Sequence, residues 1–262
     1  ADIAEPISAD QAKQLAGDKN ITVKDVLNSA QVYFCFSAKG VFKDKNVRDA
    51  WNLAIDRETI VKTIVNGSKA AGWMVDSSCI GYKDVKPSFD AAKAKQLLAS
   101  SSYKGEPIKI YAVNGTVPRV NEVLQAASSM LNAAGFNTSV SFMEQAALNA
   151  LRTSGNYDVY FVSVRQVAGD PGGMITSRWA DDMYKSGYVN TKMFELIRAQ
   201  AVEMDKAKRA DMMTQIFQMA YDDSAPFIPV YQLDSVSAYK NNVSGMVFTP
   251  DGMNDYSRIM KG

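Results

Sequence analysis

"YDVYFVSVRQVAGDPGGMITSRW", residues 157 to 179, carries three signals in a row. Residues 157–164 are β-branched and aromatic, as in a strand. A glycine-bracketed Asp-Pro turn follows at 168–173, and a helix is expected to begin near Met174. In open α/β sheets such a strand end is where ligands sit. The turn matches neither GxxxxGK[ST] nor GxGxxG, so no cofactor is implied, and Asp170 within it would repel a phosphate. Other readings stay open. The segment is either a plain strand-to-helix turn, or one in which Asp170 caps the next element while Arg165 and Gln166 face a cleft.

Outward from this stretch the same alternation continues over residues 31–231. Strands are expected at "QVYFCFSA" (31–38), "PIKIYAV" (107–113), "TSVSFM" (138–143) and "FIPVY" (227–231). Between them, "VRDAWNLAIDRETIVKTIVNG" (47–67) reads as two helices divided by an N-cap at Asp56 and stopped at Gly67. Further helices are expected over 88–100, 118–135, 144–155, 191–204 and 206–223. Strands joined by helices of this length predict an α/β fold with a mainly parallel sheet flanked by helices. The first 30 residues read as polar and irregular, and "SVSAY" and "GMVFT" as short strands near the end.

Composition excludes several chemistries. Lys plus Arg number 29 against 28 Asp plus Glu, so no charge excess favours nucleic acid or an anionic membrane. No apolar run is long enough to span a bilayer. The absence of histidine removes Ser-His-Asp and Cys-His catalysis and the commonest zinc and nickel side-chain ligand. Cys35 and Cys79 are either a disulfide or two buried thiols. "SSYK" places Ser101 and Lys104 at Ser-x-x-Lys spacing without the accompanying Ser-Asp-Asn or Lys-Thr-Gly elements. The adjacent acids Asp181-Asp182 and Asp222-Asp223 point to different helix faces and read as solvated or capping positions. Met204, Met212, Met213 and Met219 read as core filling, as does Trp51. Trp73 lies in a loop-like stretch, where an aromatic either plugs the surface or stacks on a ligand.

The order of segments resembles the family 5 extracellular solute-binding proteins, the peptide- and nickel-binding components of ABC importers. "VRDAWNLAIDRETIV" is similar to that family's V-R-x-A-[LI]-x-x-A-I-D-R-x-x-[IL]-V. "SFDAAKAKQLLASSSYKG" is similar to its F-D-x-x-K-A-K-x-L-L-x-x-x-G-Y-x-x-G, and "APFIPVY" to its closing A-P-x-I-P-x-Y. With "IKIYAV", "VLQAASSMLNAAGF" and "YDVYFVSV" between them, the likeness runs in order over about residues 30 to 245. It implies a periplasmic-binding-protein-like lobe with hinge segments at both ends, matching the C-terminal half of a protein about twice as long. Residues 1–30 are then expected as a remnant of the N-terminal lobe and hinge, 31–245 as the C-terminal solute-binding lobe, and 246–262 as the return toward the first lobe.

The resemblance implies a non-enzymatic protein, periplasmic or lipid-anchored at the cell surface, that hands a small or peptide solute to permease subunits. Its partners would be that solute, the permease and the missing N-terminal lobe, with no nucleic acid. In the family's peptide binders an Asp just upstream of the Asp-Pro turn receives the ligand's amino group. The matching residue here is Val167, which cannot supply a carboxylate. An anionic, amide-rich or capped ligand suits Arg165 and Gln166 better. The expected ligand-binding residues are Arg165, Gln166, Asp170, Trp73 and Asn114. The rivals are a hydrolase on the same architecture, using Ser101 and Lys104 or a carboxylate, and a stand-alone single-lobe interaction module.

Overall fold

The computed structural model describes residues 1–166, 169–224, 226–250 and 252–262. The first 30 residues are not irregular: they hold strand β1 (Ile3–Ala4), helix α1 (Ala9–Leu15) and half of β2 (Ile21–Phe36). A capping box starts α1, with the Ser8 hydroxyl accepting from Gln11 N–H at 3.2 Å and Gln11 Oε1 accepting from Ser8 N–H at 2.8 Å. Ser-x-x-Gln is visible in the sequence, but no apolar stripe follows it to mark a helix.

Next come α2 (Lys45–Ala54) and α3 (Arg57–Thr63), divided at Asp56, whose carboxylate accepts from Thr59 N–H at 3.0 Å. Strand β3 (Lys69–Ala70) precedes α4 (Ala91–Ala99), which Asp90 caps by accepting from Lys93 N–H at 2.9 Å. β4 (Pro107–Val113), α5 (Val120–Ala134), β5 (Asn137–Met143), α6 (Gln145–Ser154) and β6 (Val159–Arg165) follow as two crossover units. The short helix α7 (Gly172–Ile175) continues as a wider turn to Ala180. Then come α8 (Thr191–Gln200), α9 (Lys206–Asp223) and β7 (Phe227–Lys240). β8 (Val243–Ser244) and β9 (Met260–Lys261) pair on their own. β7 merges "FIPVY" and "SVSAY", which the sequence separates by the polar pair Gln232 and Asp234. Pairing with β2 carries the strand across that interruption.

The sheet runs β1-β7-β2-β6-β4-β5, with β3 beside β7. β4 is parallel to β5 and β6, where helical crossovers supply the connections parallel strands need. β2 is antiparallel to β6 and β7, so the sheet is mixed. Both faces are covered along the second half of β2, and its side chains alternate. Val32, Phe34 and Phe36 join one core, and Tyr33 and Cys35 join the other. The first core centres on Trp51, fully buried, with the rings of Phe34, Phe36, Phe42 and Phe136 between 5.3 and 5.6 Å away. Arg57 ties this layer to the sheet, donating to the carbonyls of Pro229, Asn52, Ile55 and Ser88. Burial pulls its pKa down to about 10, still charged at neutral pH. Met213 is fully buried as expected, whereas Met204 is 90% exposed, beyond the end of α8.

Candidate functional site

A bulge in β2 builds the candidate site. Leu27 pairs with Asp234 and Gln31 with Gln232, so Asn28, Ser29 and Ala30 stand against Leu233 alone. The extra residues bend the strand toward the end of β6. Ser29 carbonyl accepts from Gln166 N–H at 2.9 Å, and Ser29 Oγ donates to Gln166 carbonyl at 2.8 Å. Asn28 Oδ1 accepts from Ala30 N–H at 2.8 Å, and Gln232 Nε2 donates to Asn28 carbonyl at 2.9 Å. A stripe of buried polar side chains results, with Gln31, Tyr33, Gln166 and Gln232 on the sheet face opposite Trp51.

The loop over residues 71–85 covers this stripe. Gln31 Nε2 donates to Trp73 carbonyl at 3.0 Å, and the Tyr33 hydroxyl donates to Met74 carbonyl at 2.7 Å. The same loop meets the Asp-Pro turn, because Ile80 N–H donates to Gly169 carbonyl at 3.0 Å. Gly169 has φ +69°, and a Cβ there would collide with Ser78 carbonyl, so the close approach needs glycine.

The expected residues divide. Arg165 and Gln166 do end β6 at the bulge; Arg165 is exposed, with its guanidinium against Gly252. Gln166 is 1% exposed, and its Nε2 makes no hydrogen bond of good geometry among the described residues, although its side chain interacts with the Tyr33 hydroxyl. It is one of five buried polar atoms without a partner among the described residues, with Trp51 Nε1, Arg152 Nε, Trp179 Nε1 and the Tyr231 hydroxyl, and it is the one that stands at the end of β6. Asp170 is committed within the protein. Its oxygens accept from Arg209 Nη1 at 2.7 Å and Nη2 at 2.9 Å, and from Gly172 N–H at 2.9 Å. The Arg209 guanidinium beside it holds the Asp170 carboxyl below the usual carboxylate range, and Gly172 N–H adds to this. Asp170 therefore secures the turn to α9.

Trp73 is engaged within the protein as well. It is 2% exposed, its Nε1 donates to Gly81 carbonyl at 2.9 Å, and Lys83 Nζ sits 5.3 Å over its ring. It plugs the loop and leaves no open face for stacking. Asn114 is exposed just past β4, on the same carboxyl edge but outside the buried stripe. Val167 lies outside the described residues.

Sequence reasoning missed Gln31, Tyr33 and Gln232. Part of the signal was present in "QVYFCF", where Gln31, Tyr33 and Cys35 alternate with Val32, Phe34 and Phe36. Cys35 and Cys79 are both free and buried; burial pushes the Cys79 thiol up to about 12, leaving it protonated. Ser101 gives no nucleophile. Its hydroxyl donates to Leu98 carbonyl at 2.6 Å, and Lys104 Nζ reaches the Ser101 carbonyl, not the hydroxyl. Asp182 and Asp223 accept from Ser186 and from the Tyr188 hydroxyl, respectively. Among the described residues no cluster of His, Cys, Asp or Glu could hold a metal, and no helix is long and apolar enough to cross a membrane.

Comparison with known proteins identifies the family and the fold. Residues 1–185 match the family model described as "Bacterial extracellular solute-binding proteins, family 5 Middle". The chain is 26% identical over 267 residues to the dipeptide-binding protein DppE of Bacillus subtilis, covering 95% of this chain and 48% of that protein. It is 26% identical over 271 residues to the glutathione-binding protein GsiB of Shigella flexneri, covering 96% and 52%. The chain thus spans about half the length of the curated relatives it matches. The crystal structure of a dipeptide binding protein from Pseudoalteromonas in complex with Met-Leu shares the fold, with a TM-score of 0.83 at 20% identity. That match covers 100% of this chain and 54% of that one. With the family model matched over most of its length and the α/β lobe in place, the chain belongs to family 5 of the bacterial extracellular solute-binding proteins.

Proposed function

We propose that this chain is the C-terminal lobe of an extracytoplasmic solute-binding protein that captures a peptide-like solute and delivers it to an ABC import permease. The observation that carries this is the buried polar stripe at the β2 bulge, with an unmet donor on Gln166, in a chain whose relatives bind dipeptides and glutathione. Residues 31–245 would form the lobe proper. Residues 1–30 and 246–262 would adjoin an N-terminal lobe, in keeping with exposed apolar side chains at Val247, Met253, Ile259 and Met260. Closure of two lobes would exclude water and let a few hydrogen bonds select the solute. Location in the periplasm or on a lipid anchor outside the cell belongs to the same proposal. So does the absence of catalysis, which the engaged Ser101 and paired Asp170 favour over a hydrolase.

A thermal-shift panel of di- to pentapeptides, capped peptides, nickel complexes and oligosaccharides tests the reading. A solute at a hundred times its dissociation constant adds about 2.7 kcal/mol of stability. Stabilisation by peptides alone is the expected result. Stabilisation by oligosaccharides alone, or turnover of any panel member, would contradict it.

A further inference from the structure

Asp76 lies in the loop that covers the site. It is 4% exposed and the most buried carboxylate among the described residues. Its Oδ1 accepts from Ser78 N–H at 2.9 Å and from the Ser78 hydroxyl at 2.6 Å, which fixes the loop. Its Oδ2 has only the Cys79 thiol, a weak donor at 3.5 Å. The ion pairs found among the described residues do not include it. A buried carboxylate without a cation is costly unless its remaining lone pairs are used.

Beside Asp76 lies a cavity of about 30 Å³, lined in part by Gln31, Gln232, Trp73 and Val75. That is room for one ammonium- or water-sized group. The amide donors of both glutamines point elsewhere: Gln31 Nε2 donates to Trp73 carbonyl and Gln232 Nε2 to Asn28 carbonyl. Their Oε1 atoms therefore remain as acceptors, with Gln31 Oε1 3.2 Å from the Tyr33 hydroxyl, whose one proton goes to the nearer Met74 carbonyl. Two lysines, Lys69 and Lys83, also line the cavity, but Lys83 Nζ is held by Gln218 Oε1 at 2.8 Å. On the same sheet face, Gln166 offers an unused donor that is equally buried.

We propose that Asp76, with the carbonyl oxygens of Gln31 and Gln232, receives a primary ammonium group of the solute, while Gln166 Nε2 donates to a carbonyl or carboxylate oxygen of the same molecule. This rests on the solute-binding reading and deepens it. The solute class is an amine-bearing, peptide-like molecule, and its counter-charge comes from the covering loop in place of position 167. The capped or anionic ligand suggested by Val167 alone is then not required.

The test compares two pools by thermal shift on this chain: free dipeptides with glutathione, and the same compounds N-acetylated. Asp76→Asn keeps an oxygen for Ser78 and removes only the charge; Gln232→Leu removes a second acceptor without touching Asp76. The free pool should stabilise the wild type and the acetylated pool should not. Asp76→Asn should weaken the free pool about 30-fold or more, and Gln232→Leu in the same direction by less. Equal stabilisation of the wild type by both pools would overturn the ammonium site while leaving solute binding intact. A free-pool preference that survives in both variants would place the ammonium elsewhere. No response to either pool would overturn the peptide reading and this proposal with it.

Discussion

The two faces of β2 are both sealed from solvent, yet they are built on opposite principles. Val32, Phe34 and Phe36 meet an aromatic cluster around Trp51, in which polar atoms are few, chiefly Trp51 Nε1 and the Tyr231 hydroxyl. Gln31, Tyr33 and Cys35, one residue out of phase, meet a second apolar core, with Trp73, Met74 and Phe227, into which a layer of amides, a hydroxyl, a carboxylate and a thiol is set. Apolar packing stabilises whatever its partners are, whereas a buried amide is favourable only when its partner is in place. One face therefore specifies that the chain folds, and the other, on the proposed reading, what it recognises.

If that division holds, substitutions on the aromatic face should cost stability and spare recognition. Trp51→Ala has the largest expected effect, about 3–5 kcal/mol of unfolding free energy by urea titration, because four packed rings lose their common neighbour. Arg57→Met should cost about 3 kcal/mol by the same measurement, since it strands the carbonyls of Pro229, Ile55 and Ser88 in the interior.

Asp170 tests the turn between the two regimes. Its folded carboxyl titrates below its ordinary range, so the ion pair with Arg209 contributes above the unfolded pKa and is lost as pH falls through the folded one. Asp170→Asn should remove that acid limb from a plot of melting temperature against pH. The loss near neutral pH should stay below about 1 kcal/mol, because the side chain is 43% exposed and screened by solvent.

The aromatic face and the helices over it were legible in the sequence because apolar periodicity reports burial directly. The N-cap Asp56 was read correctly, and so was the end of the helix expected over 118–135, which Gly135 closes. The polar face was legible only in part. Arg165 and Gln166 stand at a strand end, which local pattern can find. Gln31, Gln232 and Asp76 come together through the β2 bulge and the covering loop, and pairing across some 200 residues leaves no local mark. Asp170 and Trp73 looked available because charge and aromaticity are visible in sequence, while Arg209 and Gly81, which occupy them, are not visible as partners.

The smallest stability effect belongs to the residue on which most of the functional account rests. Gln166→Leu removes a buried Nε2 that makes no hydrogen bond of good geometry among the described residues, so unfolding free energy should change by less than about 1 kcal/mol. Measuring urea stability and affinity for the best-binding peptide side by side in this one variant tests the account most directly. The account predicts unchanged stability with affinity lost. Stability lost with affinity unchanged would show that the polar face is merely structural, and that the solute binds elsewhere.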